Sequence, residues 1–209
     1  MKKVLVCILL TSALGALPLS ANAQSAPGAT ADLYDAQSMS PAEESDLAAS
    51  YPFTGNAGDA SQYGNDAHVA GATLAADRFG YGGKAYFFDG NDSLVAPNSP
   101  VLNSDFTTIA FWVKVDSLPA QGEVYLMSNG GWQERWKISL PGHGKPVFTT
   151  NADGISDMDS GDGNELVEGE WAHLAFVHDG TNDIIYLNGA EVASKAVPGP
   201  LNDTDHPLG

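Results

Sequence analysis

The sequence has almost no cysteine: Cys7 is the only one in 209 residues. Positive charge is scarce as well. Nine Lys and Arg stand against 26 Asp and Glu, a formal net charge of −17. Proteins that bind nucleic acid meet phosphates with clustered Lys and Arg, and proteins that dock on anionic lipid do the same. Both classes are excluded. No segment of ten or more residues repeats its apolar positions at helical spacing, which excludes an architecture of βαβ units. There is no internal repeat, no G-x-S-x-G nucleophile elbow and no phosphate-binding P-loop. A wholly disordered chain is excluded too, because 43% of the residues are apolar, enough for a packed core.

The first residues read as a targeting segment. Lys2 and Lys3 give a positive start, residues 4–10 are an unbroken apolar run, and Ala21-Asn22-Ala23 has the A-x-A form of a cleavage site. Residues 1–23 are therefore expected to be a secretory signal, with the mature chain starting at Gln24. The run is too short for a membrane anchor and Pro18 interrupts the apolar stretch, so no membrane insertion is expected. Cys7 would leave with the signal, and the mature chain would have no thiol chemistry. Losing two Lys and no acid leaves 7 basic against 26 acidic residues, a net of −19, which favours cations over anions. The expected location is secreted, cell-surface or periplasmic.

Residues 24–40 are rich in Ala, Ser, Gln, Gly and Asp without an apolar period, as in a flexible linker. Ser40-Pro41-Ala42-Glu43 has the form of a capping box and predicts a short helix over 41–48. From there to residue 209 the pattern is all strand. Strands are expected at 50–54, 84–89, 93–96, 107–115, 123–127, 135–140, 146–150, 171–178, 183–187 and 191–194. In the strand at 107–115, Ile109, Phe111, Val113 and Val115 share one face, with Ala110, Trp112 and Lys114 on the other. Short strands punctuated by Gly, Pro, Asn and Asp predict a β-sandwich or barrel. Asn188-Gly189 is the strongest hairpin signal, since both central residues of a type I′ turn need positive φ. Residues 55–68 and 151–168 are expected to be long acidic loops, where function concentrates.

Five motifs in order carry a family resemblance. Tyr51-Pro52-Phe53-Thr54-Gly55-Asn56-Ala57-Gly58-Asp59 is the first and Lys84-Ala85-Tyr86-Phe87-Phe88-Asp89-Gly90 the second. Phe106-Thr107-Thr108-Ile109-Ala110-Phe111-Trp112-Val113-Lys114 is the third. Trp171-Ala172-His173-Leu174-Ala175-Phe176-Val177 and Ile185-Tyr186-Leu187-Asn188-Gly189 complete the set. Together they resemble the bacterial laminin G-like (concanavalin A-like lectin/glucanase) domains. That resemblance implies an all-β fold, a two-sheet antiparallel jelly-roll sandwich over residues 41–209. It also implies one or two further strands that nothing here matches, so the chain is expected to be truncated at its C-terminus and part of a longer multidomain protein.

Three groups of residues carry candidate chemistry. The loop at 56–66 offers Asn56, Asp59, Asn65 and Asp66 among glycines. Calcium takes oxygen ligands of these kinds, and the resemblance implies calcium in this loop, with Asp59 and Asn65 as side-chain ligands. An ordinary turn has the same composition. Asp157, Asp159 and Asp162 have the look of an EF-hand start, but Gly161 and Asp162 fall at the wrong positions, and a solvated acidic loop is expected there. Trp132, Gln133, Glu134 and Arg135 combine an aromatic face with amide, carboxylate and guanidinium groups, the partners that a sugar ring or a protein hot spot uses. Trp136 alternates with Ile138 and Leu140 and is expected in the core, while Trp112 and Trp171 lie within strands and are expected to pack in the sandwich and not to form binding platforms. The five His do not cluster, and no zinc site is expected. Asp157 and Asp159 stand two apart but within a Gly-rich loop, and no expected strand carries such a pair, the arrangement expected of a glycosidase of this fold. The sequence therefore reads as a non-catalytic recognition or adhesion module for a glycan or a cell-surface protein. An accessory or divergent catalytic domain of a secreted polysaccharide-degrading enzyme is the alternative. It would be favoured if Asp157, Asp159 and Glu134 met in one cleft.

Overall fold

A computed structural model describes the backbone of residues 4–11, together with residues 47–209. The expected cleavage site at Ala23, the linker over 24–40 and the capping box at 40–43 lie outside these residues. So does the helix expected over 41–48, apart from Leu47 and Ala48, which are not helical.

The strands are β1 (Val4–Thr11), β2 (Ala49–Tyr51), β3 (His68–Ala70), β4 (Thr73–Ala75), β5 (Ala85–Phe88), β6 (Ser93–Val95) and β7 (Thr107–Val115). Then come β8 (Glu123–Asn129), β9 (Trp136–Pro141), β10 (Val147–Asn151), β11 (Ile155–Asp159), β12 (Trp171–His178), β13 (Asn182–Leu187) and β14 (Ala190–Ala196). Two four-residue helical turns interrupt them, a 3-10 turn at Pro100–Asn103 and α1 (Gly131–Glu134). The larger sheet runs β14-β13-β12-β7-β1-β5-β4, with β2 also paired to β1. The smaller runs β11-β10-β9-β8, and β3 and β6 form a separate two-stranded ribbon. The two sheets make an antiparallel sandwich, one of the two architectures that the alternation predicts, and the jelly roll that the resemblance implies.

The alternation places the core. In β7, Ile109, Phe111, Val113 and Val115 are all buried, and each intervening residue is half-buried. In β12, Leu174 and Phe176 point inward, where Phe176 meets Phe148 of the smaller sheet with ring centroids 5.4 Å apart. Burying each such ring contributes about 1.5–3 kcal/mol. Trp136, Ile138 and Leu140 of β9 lie in the same core, as expected. Asn188 and Gly189 both have positive φ (51° and 83°), as the type I′ turn between β13 and β14 requires.

Four differences from the sequence reading stand out. The acidic stretch at 151–168 is not all loop, because residues 155–159 pair with β10 over five residues. Ser156 fills the inward position there in place of an apolar residue, which hides the strand period. β3 and β4 are three residues each, too short for a period, and they put His68 on a strand and not in a loop. Asp183 and His178 are fully buried in the sandwich, joined to each other and to Thr150 of the opposite sheet. The apolar run at the start of the chain is a central strand of the larger sheet, between β7 on one side and β2 and β5 on the other.

Candidate functional site

A candidate site lies where α1 meets residues 202–206. Gly130 opens the turn at φ 71°, and a Cβ there would stand 2.6 Å from the Thr204 hydroxyl oxygen, so only glycine lets the two segments approach. The turn bends the chain between β8 and β9 and leaves Trp132 40% exposed. Gln133 and Glu134 line an open cleft of about 480 Å³, completed by Asn202, Asp203, Thr204, Asp205 and His206.

The cleft is held by a polar network. The Thr204 hydroxyl donates to Glu134 Oε2 at 2.7 Å, and His206 Nε2 lies 3.1 Å from Glu134 Oε1. Asn98 and Asn103 both donate to the Thr204 carbonyl, at 2.9 and 3.1 Å. Beyond the cleft, residues 208 and 209 are anchored by backbone hydrogen bonds to Ala96 and Ser128.

Of the four residues predicted to touch a ligand, the structure brings Gln133 and Glu134 to the cleft and puts Trp132 on the same turn. Arg135 is different, being fully buried. Its guanidinium donates to the Asn202 carbonyl at 2.6 Å and the Ser104 carbonyl at 2.5 Å. Burial pulls its pKa below the usual arginine value, with Asp203 and Asp105 opposing. Arg135 ties down the far wall of the cleft from behind and presents nothing to its mouth. The sequence reading missed Asp203, Thr204, Asp205 and His206. They lie about 70 residues from α1 along the chain, and no local motif marks them.

The loop at 56–66 is closed by its own hydrogen bonds. Asp59 Oδ1 accepts the Ser50 and Ser61 N–H groups, both at 2.8 Å. Asp59 Oδ2 accepts the Ser61 hydroxyl at 2.7 Å and the Asn65 N–H at 2.8 Å. Asn65 is buried, with its amide donating to the Ala48 carbonyl and its own carbonyl accepting from the Tyr51 hydroxyl. These contacts occupy the carboxylate oxygens that calcium would need, so Asp59 does not fit a ligand role and acts as the organiser of the turn. Among the described residues no group of three or more His, Asp or Glu could hold a metal ion.

The other acids lie away from the cleft, although Asp157 and Asp159 stand two apart on β11, a strand where the sequence reading expected a loop. Asp157 accepts from the Thr149 hydroxyl at 2.5 Å, while Asp159 and Asp162 both pair with Lys145. Neither Asp157 nor Asp159 lines the cleft that holds Glu134. Glu123 pairs with Lys137 and Ser139 on the smaller sheet. Burial raises its pKa, but the hydrogen bonds from those two side chains outweigh it and leave it below the usual value. Among the described residues no helix is long and apolar enough to cross a membrane.

Comparison with known proteins agrees with this architecture. The sequence profile of the concanavalin A-like lectin/glucanases superfamily matches residues 88–209, more than half of the chain. No curated protein matches the sequence. The binding domain of botulinum neurotoxin serotype G superimposes with a TM-score of 0.57 at 19% identity, over 72% of this chain and 40% of that one. Domain 4 of AbnA, a GH43 extracellular arabinanase from Geobacillus stearothermophilus solved in complex with arabinotriose, gives a TM-score of 0.57 at 18% identity, over 76% and 79%. The binding domain of botulinum neurotoxin DC in complex with SialylT gives 0.52 at 14% identity, over 72% and 42%. The chain thus spans less than half the length of the toxin domains it resembles, and these likenesses show the fold alone. The chain belongs to the concanavalin A-like lectin/glucanases superfamily.

Proposed function

We propose that this protein is an exported, non-catalytic glycan-recognition module. The observation that carries the reading is an exposed Trp132 on the turn whose next two residues, Gln133 and Glu134, line a cleft together with Asp203, Thr204, Asp205 and His206. A sugar ring has an apolar C–H face and a rim of hydroxyls. An exposed indole meets the first, and amide, carboxylate and imidazole groups meet the second. The cleft is already braced by Arg135, Asn98 and Asn103, so little of its wall has to be ordered on binding. AbnA domain 4 in complex with arabinotriose, and the toxin domain in complex with SialylT, support a glycan as the ligand class for this fold. The leader at residues 1–23 supports export.

One observation favours a second reading. Glu134, Asp203 and Asp205 share the cleft, and glycoside hydrolysis requires two carboxylates across a scissile bond. Against it, both oxygens of Glu134 are engaged, one by Thr204 and one by His206.

The test is affinity electrophoresis of the full chain and of Trp132→Ala in gels containing arabinan or sialylated glycoprotein. The wild type is expected to be retarded in at least one gel. Trp132→Ala is expected to lose about tenfold or more in retention, as base- or ring-stacking aromatics do, with an unchanged melting temperature. Equal retention of both proteins would overturn the site. Release of reducing sugar by the wild type, abolished in Glu134→Gln, would establish the enzymatic reading instead.

A further inference from the structure

The larger sheet has a strand slot at its centre, and its occupant is the leader. β1 pairs antiparallel with β7 along its whole length, from Val4 opposite Val115 to Thr11 opposite Thr108. On its other edge it pairs with β5 through Val4, Leu5 and Val6, and with β2 through Ile8, Leu9 and Leu10. β2 has no other strand partner among the described residues, and β5 is otherwise joined only to β4. Without β1, the sheet divides into β7-β12-β13-β14 on one side and β2 with β5-β4 on the other. The inward faces beside the slot are core: Ala49, Tyr51, Ile109, Phe111, Val113 and Val115 are all buried. A central strand covered on both faces reads as an unbroken apolar run, and residues 4–10 are such a run. Those same residues form the apolar part of a segment with the features of a cleavable export signal.

We infer that the gap between β7 and the β2 and β5 pair is a strand-acceptor site. It is built for one extended apolar segment of about eight residues lying antiparallel to β7, the part that Val4–Thr11 plays in the unprocessed chain. Cutting the chain after Ala23 turns the covalent strand into a removable one. Recognition is by the backbone ladder on both edges. This inference does not depend on the glycan reading, because the slot and the cleft share no residue.

The experiment starts from the full chain carrying a specific protease site inserted after Ala23. After cutting, the leader fragment is expected to stay with residues 24–209 through gel filtration under native conditions. Separated in denaturant and refolded alone, residues 24–209 are expected to give no cooperative melt. Adding a synthetic peptide of Val4–Thr11 with a solubilising tail is expected to restore the melt. The same peptide with Val6→Pro, which loses a ladder N–H, is expected to fail. Cooperative melting of residues 24–209 at the same temperature with and without the peptide would overturn the proposal. So would closure of the slot by self-association, seen as a dimer that the peptide does not dissociate.

Discussion

Asp183→Asn is the perturbation that tests most directly how the two sheets are held together. Asp183 lies on β13 and His178 on β12, in the larger sheet, and Thr150 lies on β10, in the smaller. Asp183 Oδ1 is 2.7 Å from His178 Nδ1, and Oδ2 accepts the Thr150 hydroxyl at 2.5 Å. His178 Nε2 is 2.9 Å from the Gly199 carbonyl, which can only accept. Both ring nitrogens therefore face acceptors, and the imidazolium is the form that satisfies both. Removing one partner of a buried pair costs about 3–5 kcal/mol. At about 2–4 °C per kcal/mol for a chain of this size, the melt should fall by roughly 6–20 °C. The pH dependence carries the sharper test. Burial pulls the His178 pKa down, but the bonds to Asp183 and Gly199 and the charges of Asp183 and Asp179 outweigh it, leaving it above the ordinary 6.5. The folded state then holds this proton more tightly than the unfolded one. The stability it contributes is full below about pH 6.5 and is lost as pH rises through the raised folded value, at up to about 1.4 kcal/mol per pH unit. His173, on the outer face of the same strand, is shifted the other way by burial and by Arg78. Its contribution is full above about pH 6.5 and is lost as pH falls through the lowered folded value. Urea unfolding from pH 5 to 9 should show both limbs in the wild type, and Asp183→Asn should flatten the upper one alone. An upper limb unchanged in Asp183→Asn would refute the assignment of the proton to this pair.

Two further variants separate bracing from binding. Asp59→Ala removes four acceptor contacts and should lower stability by about 1–3 kcal/mol, equally in calcium and in chelator; a loss confined to calcium would restore the metal-site reading. Arg135→Met deletes two charge-assisted bonds, each worth about 1.5–3 kcal/mol, and should lower melting temperature and glycan retention together. Arg135→Lys should not rescue it, because one ammonium cannot span both carbonyls. An unchanged melt in Arg135→Met would show that the far wall of the cleft stands without it.

The sandwich was legible because its long strands keep period two. β7 and β12 coincide with the predicted spans, and the inward set of β7 is the set that alternation picked out. Legibility failed where polar residues occupy inward positions. Ser156 conceals β11, and the lost stretch was read as loop. His178 and Asp183 fall in phase with Phe176 and Ile185, so their burial could have been read from position. Residue type alone conceals them, because His and Asp are seldom fully buried. The strand at Val4–Thr11 went unread for another reason. An unbroken apolar run fits an export signal and a doubly covered central strand alike, and only the pairing on each edge shows that Val4–Thr11 forms a strand.

The candidate site divides in the same way. Its near half, from Trp132 to Glu134, is contiguous and announced itself by composition. Its far half, residues 202–206, follows the last long strand and carries no motif. It becomes a wall only because Arg135 reaches across 67 positions to the Asn202 carbonyl and Glu134 across 70 to the Thr204 hydroxyl. Arg135 was picked out for the right cluster and the wrong task. Four neighbouring residues of the right chemistry suggested four contacts with a ligand. The turn at Gly130 and Gly131, both at positive φ, instead leaves Trp132 outward and carries the chain into β9 with Arg135 buried. One short segment thereby supplies both the surface that meets a ligand and the bolt that holds the opposite wall in place. A variant series through residues 132–135 should therefore split between Trp132, which moves retention alone, and Arg135, which moves retention and stability together.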